Sequence, residues 1–154
     1  MKSVTKSVDV NVPVRVAYNQ WTQFEELPRF MEHIERVEQL DDTTIRWHAS
    51  IDGKDEKWIS NITEQLPDQR IAWNTMEGAK NAGVVTFHKL DDDTTRVTVQ
   101  MEYETDGVVE SLGAALGFMD RNLDDDLESF KEFIESRGRE TGAWRGKVEQ
   151  EATS

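Results

Sequence analysis

The chain has 154 residues, of which 36% are hydrophobic and 32% charged, and it contains no cysteine. Its 31 acidic and 18 basic residues give a formal net charge of −13 at pH 7, which disfavours binding to nucleic acid or to anionic membrane surfaces. The lack of cysteine excludes disulfides, thiolate zinc sites, iron–sulfur clusters and a cysteine nucleophile. No segment has the apolar run of a signal peptide or a membrane span, so we expect one cytoplasmic domain without membrane insertion.

The first third of the chain predicts a strand and two short helices. Residues 3–12 alternate between apolar and polar side chains, which is typical of a strand with one buried face. Pro13 ends the alternation, and apolar residues then recur at spacings of three and four over 14–24, which predicts an amphipathic helix. Residues 27–31 predict a second short helix, bent or restarted near Pro28.

A series of strands follows. Asp52-Gly53 and Pro67-Asp68 are typical of tight turns, and residues 78–83 predict a connection rich in glycine and asparagine. Because the connections between consecutive strands are short, the strands are expected to form an antiparallel meander. The predicted strands are 34–40, 44–51, 57–65, 70–76, 84–90 and 95–104.

From residue 109 the apolar period becomes helical and predicts a long helix over 108–137, with Asp106 as its N-cap and Gly138 as its end. The helix is expected to lie across the apolar face of the sheet. Its small residues fall early, over 107–117, and its bulky residues fall later. Two interpretations stay open: a retained space above the sheet, or close helix–sheet packing.

This order of elements resembles the helix-grip fold of the START-like, birch-pollen-allergen-like superfamily (SRPBCC), which includes coenzyme-Q-binding proteins. The segments 12–31, 47–73 and 137–146, the last reading RGRETGAWRG, resemble the bacterial polyketide cyclase/dehydrase branch. The resemblance implies an α+β fold in which about seven antiparallel strands wrap around the long C-terminal helix. The resemblance also implies a cavity between sheet and helix. We expect this domain to span 1–138, and the polar composition of 139–154 predicts a tail after it.

Aromatic residues on different strands are the candidates for the cavity wall, although they would also suit a filled core. Small or polar residues of the helix would face them. The predicted ligand-binding residues are Trp47, Trp58, Trp73, Phe87, Met101, Tyr103, Gly117, Met119 and Arg121.

Neither a metal nor a cofactor is expected. The histidines, at 33, 48 and 88, are dispersed and lack the spacing of a metal site. The acidic clusters at 41–42, 91–93 and 124–126 lack the pattern of a calcium loop, and we assign them to turns and to the polar face of the long helix. No phosphate-binding loop or nucleophile elbow is present.

Three functions remain open at this point. The first is binding of a small hydrophobic or aromatic metabolite, such as a lipid, a quinone or a polyketide-like molecule. The second is an aromatase/cyclase-type enzyme, for which Tyr103 and Arg121 are the acid–base candidates, although no complete catalytic set is evident. The third is a protein-interaction module related to ribosome-associated START-like proteins, for which the charge of −13 disfavours RNA contact.

Overall fold

The computed structural model describes residues 2–51, 53–77, 81–103 and 110–149; side chains are described in these ranges except at 2, 51, 54, 77, 81, 103 and 110–121. The elements follow one another in the predicted order. They are β1 (Lys2–Val10), α1 (Val14–Trp21), a 3₁₀ helix (Phe24–Arg29), β2 (Ile34–Gln39), β3 (Thr44–Ile51), β4 (Lys54–Leu66), β5 (Arg70–Glu77), β6 (Asn81–Asp91), β7 (Thr94–Tyr103) and α2 (Glu110–Arg137).

The strands form one antiparallel sheet in the order β1-β7-β6-β5-β4-β3-β2. Six of the strands are a meander, and β1 joins it by pairing with β7, the last strand of the chain. Register shifts in β4, between Ile59 and Ser60 and between Ile62 and Glu64, mark bulges, which increase the local bend of a strand. The curled sheet with a helix against it confirms the predicted helix-grip architecture.

The predicted second helix is a 3₁₀ helix rather than an α-helix, and it begins at Phe24, which the sequence had placed in the first helix. Pro28 lies inside it. Proline has no N–H to donate, and its ring clashes with the carbonyl four residues earlier in an α-helix. A short 3₁₀ turn avoids that clash while still burying Phe24 and Leu27.

The predicted loop at 78–83 is wrong in its second half, because β6 already begins at Asn81. Gly83 pairs with Trp73 across the β5–β6 ladder, and a Cβ at Gly83 would lie under 3.0 Å from three atoms of the Trp73 indole. Because Gly83 has no side chain, the indole of Trp73 has room to lie against the neighbouring strand. The sequence analysis had taken this glycine only as a sign of a connection between strands.

The long helix packs its bulky stripe onto the sheet, as predicted. Leu123, Leu127, Phe130 and Ile134 are buried. The helix ends at Arg137, and Gly138 adopts a left-handed φ of 73°, which confirms the predicted stop. The predicted N-cap, Asp106, lies outside the described residues, and so do the side chains of the small residues early in the helix. No helix in the described part of the chain is long and apolar enough to cross a membrane.

The segment after the helix was predicted as a polar tail, but residues 140–148 dock onto the domain; we call them the C-terminal strap. Arg145 donates to Asn19 Oδ1 at 2.6 Å and to Asp68 Oδ2 at 2.8 Å. The backbones of Gln65 and Val148 exchange two hydrogen bonds, of 2.7 and 2.9 Å. The strap is therefore part of the fold. It supplies partners to polar side chains that α1 buries, and a buried polar group without a partner is costly.

Candidate functional site

A cavity lies between the concave face of the sheet and the helices packed on it. It has a volume of about 100 Å³, counted as the space open to the centre of a water molecule. Of the 16 described residues that line it, only Ser60 and Asp126 are polar. The apolar lining residues are Trp21, Phe24, Leu27, Met31, Ile34, Ile45, Trp47, Trp58, Ile62, Ile71, Trp73, Val99, Met101 and Leu123.

Two tryptophans form a flat panel in this wall. Trp47 on β3 and Trp58 on β4 are directly paired across the ladder, and their rings are stacked with centroids 5.9 Å apart and an interplanar angle of 7°. Trp47 Nε1 donates a 2.8 Å hydrogen bond to Ser60 Oγ, which holds the indole in one orientation. Because Ser60 accepts this bond, its own hydroxyl proton can still be donated to a ligand oxygen.

Trp73 and Met101 extend the wall across the sheet. Gly83 lies between them in register, paired with Trp73 on one side and with Met101 on the other. The Trp73 ring is placed by the open space over that glycine. Methionine is flexible and polarisable, so Met101 can adapt to the shape of an occupant while the indoles stay fixed.

Asp126 is the acidic group of the cavity. Burial, together with the nearby carboxylates of Asp125 and Glu32, raises its pKa from the ordinary 3.8 to about 7. In the part of the chain that the structure describes, no hydrogen bond or ion pair joins the Asp126 carboxylate to another side chain. A carboxyl group of this kind is poised to exchange a proton near neutral pH.

Sequence reasoning missed Asp126 because it assigned the 124–126 cluster mainly to the polar face of the helix. A signal was present, because Asp126 follows Leu123 by three residues and precedes Phe130 by four. Residues at these spacings share one helix face. The acidic run therefore turns one of its three side chains towards the sheet, while Asp124 and Asp125 are exposed.

The structure brings together four of the predicted site residues, Trp47, Trp58, Trp73 and Met101. Phe87 lies elsewhere: it is buried in the core, edge-on to Tyr18 with ring centroids 5.3 Å apart, and it does not line the cavity. It shares a sheet face with the wall residues, but α1 covers that end of β6. Four further residues were predicted to bind the ligand, but the structure does not describe their side chains: Tyr103, Gly117, Met119 and Arg121.

Twelve of the 16 described wall residues were not predicted as site residues. Among them are the three large side chains Trp21 on α1, Phe24 on the 3₁₀ helix and Met31 just after it. Their spacing indicated buried helix faces and did not distinguish a face on a cavity from a face on a filled core.

The described residues contain no group of three histidine, aspartate or glutamate side chains placed to hold a metal ion. His48 contacts Glu38 Oε1 at 3.1 Å on the sheet, and His88 is exposed. The chemistry available in the described wall is therefore that of indole rings, one hydroxyl and one carboxyl group.

Solved structures of other proteins share this fold. The Zhui aromatase/cyclase from Streptomyces sp. R1128 is 21% identical, with a TM-score of 0.78 over 93% of this chain and 99% of that one. A START superfamily protein from Mycobacterium smegmatis is 16% identical, with a TM-score of 0.72 over 88% of this chain and 98% of that one. The fold is thus the helix-grip fold of START-like proteins.

The sequence comparison identifies the protein family to which the chain belongs. Residues 10–132 match the family described as polyketide cyclase / dehydrase and lipid transport, and the chain belongs to that family. A relative from Streptomyces lincolnensis, known as the uncharacterized 17.2 kDa protein in the melC2-rnhH intergenic region, is 54% identical over 149 residues. That alignment covers 96% of this chain and 99% of the relative.

Proposed function

We propose that this protein binds a small hydrophobic metabolite with a flat aromatic part in the cavity between the sheet and the long helix. The observation that carries the proposal is the stacked pair of Trp47 and Trp58, whose rings border an unfilled space. In a core without a ligand role, side chains of this size would be expected to interdigitate and close such a space.

The wall favours a ring system over a flexible lipid chain. Aromatic rings prefer offset stacking or edge contacts with other aromatic rings, and the indoles of Trp58 and Trp73 offer such surfaces from neighbouring strands. Ser60 and Asp126 supply the few polar contacts that fix orientation in pockets of this kind. A quinone or a polyketide-like molecule matches this combination better than a simple fatty acyl chain.

The tryptophans provide the test. Four of the five line the cavity, and only Trp144 lies in the strap. We expect N-phenylnaphthylamine, a neutral aromatic fluorophore, to quench the intrinsic fluorescence on binding. Trp58→Leu should weaken the affinity at least tenfold, whereas the matched control Trp144→Leu should keep it. Native mass spectrometry of the purified protein should show a bound small molecule.

Two results would contradict the proposal. One is a wild-type protein that binds neither the fluorophore nor any co-purifying molecule. The other is an equal loss of affinity in both tryptophan variants, which would place the fluorophore outside the cavity.

Asp126 favours a second candidate, an aromatase/cyclase-type enzyme. Ring closure of a poly-β-ketone needs a base to remove a proton from the carbon between two carbonyls, and loss of water needs an acid that protonates the departing hydroxyl. A carboxyl group with a pKa of about 7 can do either. The test is cyclisation of a poly-β-ketone thioester: Asp126→Asn should slow the reaction while substrate still binds. No acceleration by wild-type protein over the spontaneous reaction would reject the enzyme and leave the binding function.

A further inference from the structure

The described charged groups that lie at the aromatic cavity or act on its lining are carboxylates. Asp126 is the single ionisable residue among the described lining residues, and the two groups whose charge acts on it, Asp125 and Glu32, are also carboxylates. Two described cations on β1 and the 3₁₀ helix have carboxylate partners other than Asp126. Lys6 pairs with Asp124 at 3.2 Å, and Arg29 pairs with Glu26 at 3.3 Å. The cavity therefore holds negative charge without a positive partner in the described part of the chain.

A carboxylate in an apolar wall has lost part of its water, which is unfavourable unless a compensating charge lies beside it, and the described residues supply none. A ligand that carries a positive charge would supply that compensation. A neutral ligand would leave the penalty in place, and an anionic ligand would increase it through repulsion by all three carboxylates.

The indole rings of the wall also favour a ligand that carries a positive charge. The face of an indole ring is electron-rich and attracts organic cations, more strongly than the face of phenylalanine or tyrosine. Trp47, Trp58 and Trp73 line the same cavity as Asp126. The wall thus combines two elements that recognise an organic cation, aromatic faces and a carboxylate.

We infer, on the basis of the proposed function, that the natural ligand of the cavity is an aromatic or alicyclic molecule with a protonated amine, and that Asp126 is the counter-ion of that amine. The ring system stacks on the indole panel, and the ammonium group lies at the carboxylate. This ligand class excludes fatty acids and other organic anions, and it ranks uncharged quinones below amines of the same size.

A matched set of three ligands tests the inference: naphthylmethylamine, naphthylmethanol and naphthoic acid. They share one ring system and differ in carrying a positive charge, no charge or a negative charge. With isothermal titration calorimetry at about pH 8, where the amine is protonated, we expect wild-type protein to bind the amine at least tenfold more tightly than the alcohol. The acid should bind most weakly.

The Asp126→Asn variant should lose the preference for the amine over the alcohol, so that the ratio of the two affinities approaches one. Asp93→Asn is the matched control, since Asp93 is an exposed turn residue that does not line the cavity. It should keep the wild-type ratio.

The outcomes separate the inference from the function on which it rests. Equal affinity for alcohol and amine, or tightest binding of the acid, overturns the inference and leaves an aromatic-binding cavity standing. A preference for the amine that survives in Asp126→Asn overturns the assigned counter-ion. If none of the three ligands binds and no molecule co-purifies, the proposed function itself fails.

Discussion

At the scale of single residues, the most consequential feature is a carboxyl group placed where an apolar side chain would be expected. Asp126 lines the cavity on the same helix face as Leu123, and its burial shifts its pKa to about 7. A raised pKa means that the native state binds the proton more tightly than the unfolded chain does. The contribution of Asp126 to stability is therefore most favourable below about pH 4 and is lost as the pH rises towards 7.

We predict that Asp126→Asn is more stable than wild type by about 1–2 kcal/mol at pH 8, a value reduced from the full shift because solvent screens part of the interaction. The difference should vanish below about pH 3, where the wild-type carboxyl group is protonated in both states. Urea unfolding at a series of pH values measures it. Asp93→Asn serves as the control, and a gain that does not depend on pH would contradict the assigned pKa.

Gly83 is the second residue whose role depends on one contact. The indole of Trp73 occupies the space that a Cβ at this position would need. Because backbone strands cannot move apart cheaply, the ring would have to give way, which would also deform the cavity wall.

We expect Gly83→Ala to cost about 1–3 kcal/mol of stability, the usual penalty for overpacking. In a Trp73→Leu background the same substitution should cost less than about 0.5 kcal/mol, because the conflicting ring is gone. Chemical denaturation of the four proteins in this cycle measures the coupling. Equal costs in both backgrounds would show that the alanine conflicts with something other than the indole.

At the scale of elements, the C-terminal strap holds α1 against β4. Arg145 contacts Asn19 and Asp68 and lies over the ring of Tyr18, with 5.6 Å from its guanidinium carbon to the ring centroid. Asn19 is buried. One guanidinium thus satisfies polar groups on two separate elements, a geometry that suits the planar fork of arginine.

We predict that Arg145→Ala lowers the free energy of unfolding by about 1–3 kcal/mol, because Asn19 Oδ1 and Asp68 Oδ2 lose the donor that they share. Arg145→Lys should recover only part of this loss, since a single ammonium does not reproduce both contacts. Arg139→Ala, at an exposed position before the strap, is the control and should change stability by less than about 0.5 kcal/mol. Equal effects at the two arginines would mean that the strap does not stabilise the domain.

At the scale of the whole molecule, the net charge of −13 opposes compact folding through self-repulsion. The described ion pairs, such as Arg96 with Asp9 and Arg70 with Glu64, have half-exposed side chains and contribute little each. Salt should therefore act on stability mainly by screening repulsion between carboxylates.

We predict that the melting temperature rises as NaCl is increased from about 0.01 M to about 1 M, over which the Debye length falls from about 30 Å to about 3 Å. A double variant, Asp42→Lys with Asp93→Lys, changes two exposed positions and removes part of the excess charge. Differential scanning calorimetry should show a smaller rise for this variant. A melting temperature that falls with salt would show that attractive pairs outweigh the repulsion.

The order of the elements, the antiparallel meander and the buried stripe of the long helix could all be predicted from the amino-acid sequence. These properties depend on the period of neighbouring residues, which is two in a strand and near 3.6 in a helix. The end of the helix at Gly138 could also be predicted from the local sequence, because it requires only the left-handed backbone that glycine adopts without strain. Trp47, Trp58 and Trp73 could be predicted as inward-facing for the same reason.

Which of the inward-facing residues border open space depends instead on how the elements pack together. Phe87 and Trp58 both lie on strands with apolar faces, yet α1 covers Phe87 while Trp58 lines the cavity. The place of Asp126 in the wall, the role of Gly83 beneath Trp73 and the docking of the strap were decided in the same way. Each depends on a partner from another element of the fold, and the local period of a sequence carries no information about that partner.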